Sequence, residues 1–181
     1  ALDLAERLGN LAQARLKAVG ARRGLQPAHL RILLYLAAAN RYSNTPQAVA
    51  DYLGLTKGTV SQSLILLETK GLVERGADPR DRRVVRLTLT PLGQTLVEPA
   101  RREGAERWGA VAGALPEGLL DGLTEMLRHL QLLEGRRSFG VCRTCRHHVT
   151  EGPGRWRCGL TGEPLSGEDR ECICREHEAA A

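Results

Sequence analysis

The sequence predicts a mainly α-helical fold with one small β-wing and a short cysteine-rich module at its C-terminal end. Three observations lead there. Leucine and alanine recur at helical spacing through most of residues 1–135. Aromatic residues make up only 3% of the chain, so the core must be built from Leu, Val, Ile and Ala, which suits helices better than a sheet-rich fold. All five cysteines lie between Cys142 and Cys174, and residues 1–141 contain none.

The elements follow in order. ALDLAERLGNLAQARLKAV reads as a helix with Leu4, Leu8, Leu11 and Leu16 near helical spacing, and Gly20 and Gly24 are expected to break it. Pro27 opens a second helix, PAHLRILLYLAAA, whose apolar face is Leu30, Leu33, Leu34 and Ala37. NRYSN is a loop. Thr45 caps a short third helix with Pro46 in its first turn, and Ala48, Val49 and Leu53 form its buried side. Gly54 ends it, Leu55 turns inward, and Thr56 caps a fourth helix that runs from Lys57 to the region of Lys70, where Gly71 stops it. Val60, Leu64 and Leu67 face the core. Lys57, Ser61 and Gln62 fall on the opposite side, with Thr59 and Ser63 at the margins.

LVERG and VVRLTLT read as the strands of a hairpin, with GADPRDRR as its charged tip. Thr90 and Pro91 start a long helix in which Pro99 should bend the axis or end a turn. Pro116 opens the last long helix, with Leu119, Leu120, Leu123, Met126, Leu127, Leu130 and Leu133 set for burial and Gly135 at its end. Composition then turns to Arg, Gly, Pro, His and Cys, which places a boundary near residue 136.

Two short helices joined by a Gly-containing turn and followed by a hairpin describe a winged helix-turn-helix. The outward side chains of the fourth helix are small and polar, so its axis can come close to a major groove, where hydroxyls and amides bond base edges and phosphates. Arg80, Arg82 and Arg83 at the hairpin tip can reach an adjacent minor groove or the backbone. The formal charge of +5 suits an anionic partner. No apolar run approaches the roughly 20 residues of a membrane span, and no signal peptide is visible, so the expected compartment is the reducing cytoplasm with no membrane partner. Cysteines there are more often metal ligands or redox groups than structural disulfides.

The segment GLTKGTVSQSLILLETKGLVERGADPRDRRVVRLTLTPLG resembles the recognition helix and wing of the MarR family of bacterial transcriptional regulators. Its most specific part is Asp78-Pro79-Arg80-Asp81-Arg82-Arg83, then Leu87-Thr88-Leu89-Thr90 and Gly93. The resemblance covers residues 1–135 and is strongest over 45–97. It implies a homodimer in which the N-terminal helix and the two helices after the wing interlock, so that two winged lobes meet a palindromic operator on double-stranded DNA. Residues 1–40 would then hold the N-terminal dimerisation helix and first winged-helix helix, 41–90 the DNA-binding region, 91–135 the C-terminal dimerisation helices and 136–181 the cysteine module. Thr56, Lys57, Thr59, Ser61 and Gln62 would be the major-groove set, with Arg80, Arg82 and Arg83 on the wing. Asp81 would brace the wing by pairing with an arginine. Members of the family commonly repress transcription and release DNA on binding a small phenolic compound or on cysteine oxidation.

The tail departs from the usual family pattern. Its spacing is Cys142-x2-Cys145, twelve residues to Cys158, then thirteen to Cys172 or fifteen to Cys174. A C-x2-C turn points two thiolates at one ion, Cys158 lies within loop reach, and Cys174 is the favoured fourth ligand with Cys172 as the alternative. His147, His148 and His177 are reserve ligands. One C-x2-C followed by separated single cysteines suits an iron–sulfur cluster more than zinc, whose ribbons usually carry two knuckles. A thiol switch through Cys142 and Cys145, or Cys172 and Cys174, is the minor variant.

The expected function is therefore a DNA-binding repressor whose tail senses redox or metal state. Two alternatives stand beside it: a regulator sensing a small aromatic ligand with a purely structural zinc tail, and a protein-interaction adaptor. An enzyme is not expected. Glu163, Glu168 and Asp169 read as a solvated face, and a four-Cys site leaves no open coordination position.

Overall fold

The computed structural model describes residues 2–180; the helical expectation at Ala1 and the closing Ala181 lie outside them. The body consists of α1 (Leu2–Ala21), α2 (Pro27–Leu36), α3 (Pro46–Leu53), α4 (Lys57–Thr69), a wing of β1 (Val73–Ala77) and β2 (Val85–Leu89), then α5 (Pro91–Ala112) and α6 (Leu119–Leu133). Local chemistry sets the helix starts. The hydroxyls of Thr45, Thr56 and Thr90 accept from the backbone N–H of Ala48, Thr59 and Gly93 at 3.2, 3.1 and 3.0 Å, each satisfying a donor that the helix leaves open. Gly54 closes α3 in the left-handed region at φ 65°, where a side chain would be strained.

The core lies between α2, α3, α4 and the wing. Ile32, Leu33, Val49, Val60, Leu64, Leu67 and Leu87 are fully enclosed there. The wing strands pair antiparallel from Val73 opposite Leu89 to Ala77 opposite Val85. Asn44 ties the wing to the body: its carbonyl accepts from Leu87 N at 2.8 Å and its amide donates to Leu87 O at 3.1 Å.

Three expectations need correction, and one at Pro99 is narrowed. Gly20 does not break α1, which continues to Ala21. A side chain at Gly20 would meet the Leu25 carbonyl, so glycine serves close backbone approach there, and the turn is made at Gly24 with φ 64°. α2 stops at Leu36, because Ala38 and Ala39 turn to meet the tail. Of the two outcomes expected at Pro99, a bend or an end, the end does not occur: α5 continues unbroken as a 22-residue helix, and Pro99 is exposed, so water can serve the carbonyl that proline leaves unpaired. α6 begins at Leu119 rather than Pro116, after Gly118 at φ 79°.

The apolar face of α6 is present, but the chain itself does not cover it. No residue of α6 is buried, and Leu120, Leu127 and Leu130 are 62%, 55% and 50% exposed. Leu4, Leu8 and Leu11 on α1 and Trp108 and Val111 on α5 are likewise exposed.

The tail is a small β-rich unit. β3 (Gly140–Val141) leads into a single 3-10 turn (Cys142–Thr144), followed by β4 (His148–Gly152), β5 (Arg155–Cys158), β6 (Pro164–Leu165), α7 (Gly167–Glu171) and β7 (Ile173–Cys174). β4, β5 and β6 form one antiparallel sheet, and β3 pairs with β7. Ser166 and Asp169 open α7 with a reciprocal capping box. Composition changes near residue 136, yet contacts cross that point. Ile173 N donates to Ala38 O at 2.7 Å, Asn40 N donates to Ile173 O at 3.0 Å, and Arg175 N donates to Ser43 Oγ at 2.8 Å. Phe139 packs edge-on against Tyr52 and Tyr35, and Phe139 and Ile173 join the main core. The tail thus borrows the body's core instead of building its own.

Candidate nucleic-acid interface and cysteine centre

On α4, Lys57, Thr59, Ser61 and Gln62 are exposed together, with Thr56 at the N-cap and its hydroxyl 2.9 Å from that of Thr59. Val60, Ser63, Leu64 and Leu67 turn inward. The helix therefore presents one polar face beside the wing, with its N-terminus free to favour an anion.

The wing tip is braced by two aspartates. Asp78 accepts from the N–H of Arg80 at 2.8 Å and from Arg86 Nε and Nη2, both at 2.6 Å. The Arg80 N–H, then Arg86, hold its carboxyl below the usual range. Asp81 binds Arg83 through both carboxylate oxygens at 2.9 Å, which lowers the Asp81 carboxyl and raises Arg83. The wing arginines are thus unequal. Arg83 is held by Asp81 and Arg80 pairs with Glu163 of the tail, while Arg82 is exposed and makes no ion pair among the described residues.

In the tail, Cys142, Cys145, Cys158 and Cys174 line one small cavity of about 40 Å³ together with His147 and His148. The thiols come from three separated segments. Cys172 does not line the cavity; it ends α7, and its carbonyl accepts from Cys142 N at 3.0 Å. All five cysteines are free. Burial, then the nearby Cys174, Cys158 and Cys145, push the Cys142 thiol up to about 11. Among the described residues, no three His, Cys, Asp or Glu side chains are grouped as they would be around a single metal ion.

Hydrogen-bond donors also face these thiols. Glu178 N–H donates to Cys145 Sγ at 3.4 Å. Burial raises the Cys174 thiol, and the neighbouring Asn40 side chain, Glu176 backbone and Ser43 hydroxyl offset part of that rise. Asn40 is 2% exposed and lines the cavity, and its Nδ2 has no hydrogen-bond partner among the described residues. Of the reserve histidines, His148 Nε2 accepts from Arg170 at 3.2 Å and His177 Nε2 lies 2.9 Å from Thr144 Oγ1. His147 Nε2 has no hydrogen-bond partner among the described residues, although a Glu178 oxygen lies 3.3 Å away.

Sequence reasoning missed Arg41, Tyr42, Asn40 and Asp51, all of which meet the tail. It also misplaced two acids. Glu163 and Asp169 are not a solvated face: their side chains are 15% and 13% exposed and face Arg41. Each is drawn in because the tail folds back onto the loop after α2. Glu168 is exposed as expected.

Comparison with known proteins places this geometry. Residues 23–84 match the model of the MarR family. The uncharacterized HTH-type transcriptional regulator YdcH of Bacillus subtilis (strain 168) is 38% identical over 87 residues, 47% of this chain and 59% of YdcH, so the match spans less than two thirds of that relative. The crystal structure of transcriptional regulator PA3341 is 30% identical, covers 74% of this chain and 98% of its own, and superposes with a TM-score of 0.64. MepR of S. aureus, solved as a MepR–DNA complex, is 27% identical over 71% of this chain and 96% of its own, with a TM-score of 0.59. A family model lying on the winged-helix core, and a 30% identical structure matched over nearly its whole length, show that this chain belongs to the MarR family of winged-helix transcriptional regulators.

Proposed function

We propose that this protein is a homodimeric, sequence-specific repressor acting at a palindromic operator in the cytoplasm, and that its cavity cysteines hold a metal centre reporting redox or metal state. The observation that carries the DNA reading is the exposed polar face of α4 beside an arginine-tipped wing. MarR-family proteins are DNA-binding regulators rather than enzymes, and MepR was solved on DNA. The exposed apolar residues of α1, α5 and α6 support the dimer: apolar area of that extent calls for a second copy.

Cys142, Cys145, Cys158 and Cys174 are the proposed ligands, since they line one cavity and Cys172 does not. N–H donors toward the sulfurs suit metal-bound thiolates, whose charge they stabilise. One C-x2-C pair joined at a cavity by single cysteines from separated segments favours an iron–sulfur cluster over zinc. A cluster would supply a redox change; zinc would only cross-link the tail. In either case the chain's own part is to hold four thiolates at the face of the α2–α3 loop.

A second reading rests on a groove of about 590 Å³ between α2, β2 and α5, lined by Leu36, Leu87, Leu89 and Val97 with Gln94 and Arg101 at hand. It could take a small aromatic acid, leaving the tail structural. Duplex DNA binding tests the main reading: affinity should fall steeply with salt and differ between sequences. A protein-interaction adaptor would show neither dependence.

A further inference from the structure

Three donors from two parts of the body converge on one tail carboxylate. Tyr42 Oη donates to Glu163 Oε2 at 2.7 Å. Arg41 Nη2 lies 3.5 Å from the same oxygen, and the Arg80 guanidinium of the wing tip pairs with Oε1. Glu163 is largely covered in this nest, whereas 72% of the Arg80 side chain remains exposed. The backbone is held as well. Glu163 O accepts from Cys158 N at 2.8 Å, and Arg41 Nη2 donates to Pro164 O at 2.5 Å.

Most charges around this nest have their own partners, and Arg41 is shared between Glu163 and Asp169. Asp78 is matched by Arg86 and Asp81 by Arg83, while Asp169 lies 3.7 Å from the other Arg41 nitrogen. The cations that Glu163 itself satisfies are Arg41 and Arg80. A carboxylate and a phosphodiester each present a negative charge on two acceptor oxygens, so the same phenol and guanidinium donors serve both.

We propose that Arg41, Tyr42 and Arg80 form a binding site for a DNA backbone phosphate, and that Glu163 is its resident occupant, which DNA displaces. This rests on the reading of α4 and the wing as the DNA face. The tail is then a competitor for the wing arginine. Because Glu163 and the cavity cysteine Cys158 are joined by a backbone hydrogen bond, a rearrangement at the cysteines moves the competitor.

The test is Glu163→Gln in the full chain, measured on a duplex selected by the wild type. Affinity should rise roughly two- to fivefold, the range of a partly exposed ion pair. Wild-type Arg80 is already neutralised before DNA arrives, so the variant should release about one more counterion, steepening the salt slope by about one. Arg80→Ala combined with Glu163→Gln should lose the gain. Unchanged or weaker binding by Glu163→Gln overturns the proposal. Hydrogen exchange at residues 78–86 without DNA is the second readout and should quicken in the variant; unchanged exchange also overturns it. If exchange quickens but the wild type selects no duplex, the parent DNA reading has failed and the phosphate assignment falls with it, while the Glu163–Arg80 contact stands.

Discussion

Arg175, the residue after Cys174, grips Asp51 of α3, with its Nε 3.0 Å and its Nη2 2.8 Å from one Asp51 oxygen. The residue beside a cavity cysteine is thereby joined to the first helix of the helix-turn-helix. Both side chains are about three-quarters covered, so the pair is better shielded than an ordinary surface bridge.

Arg175→Ala should therefore loosen the tail from the body. The expected cost is about 1 kcal/mol, read as a lower midpoint in urea, with faster proteolysis between residues 136 and 180. Unchanged protection of the tail would mean that the bridge contributes nothing to docking.

Wing order should depend on acid. Asp78 has a depressed carboxyl in the fold, so its bracing is fully present above the unfolded value of about 3.9 and is lost as pH falls through the lower folded value. Exchange of wing amides should quicken over that acidic window. Asp78→Asn should be loose at neutral pH and lose the Asp78 part of the dependence. A wing equally ordered in both proteins would refute the bracing.

The wing arginines should separate on DNA. Arg82→Ala should weaken binding and reduce the salt slope by about one without changing the thermal midpoint. Arg83→Ala should cost less, because Asp81 already holds that guanidinium. Equal losses, or no loss at Arg82, would count against Arg82 as the free contact.

The uncovered face of α6 should hold the dimer. Leu127→Glu puts a charge into a face that is apolar along its length, and sedimentation should show a monomer at concentrations where the wild type is a dimer. A dimer unaffected by the change would place the interface elsewhere.

Much of the body was legible because its signals are local. Thr45, Thr56, Thr90 and Gly54 act within a few residues of themselves, and the apolar positions of α4 repeat at helical spacing. Gly20 was misread because a glycine that breaks a helix and one that admits a neighbouring carbonyl look alike in sequence. The apolar face of α6 was legible, but what covers it is not in the single chain. In the tail, the cysteine spacing pointed to a shared site. Its seat on the α2–α3 loop could not be read, since Arg41 meets Pro164 across 123 residues and Arg175 meets Asp51 across 124, with no local pattern marking either.

The most direct test of the cysteine centre is the metal content of anaerobically purified protein: iron, sulfide and zinc per chain, with a visible absorption spectrum of the same sample. The account predicts one centre per chain, with matched iron and sulfide and broad visible absorption, lost in Cys158→Ala and kept in Cys172→Ala. Stoichiometric zinc without colour would keep the ligand set and make the tail a cross-link. Protein with neither metal above trace, and all five thiols freely reactive, would contradict the centre.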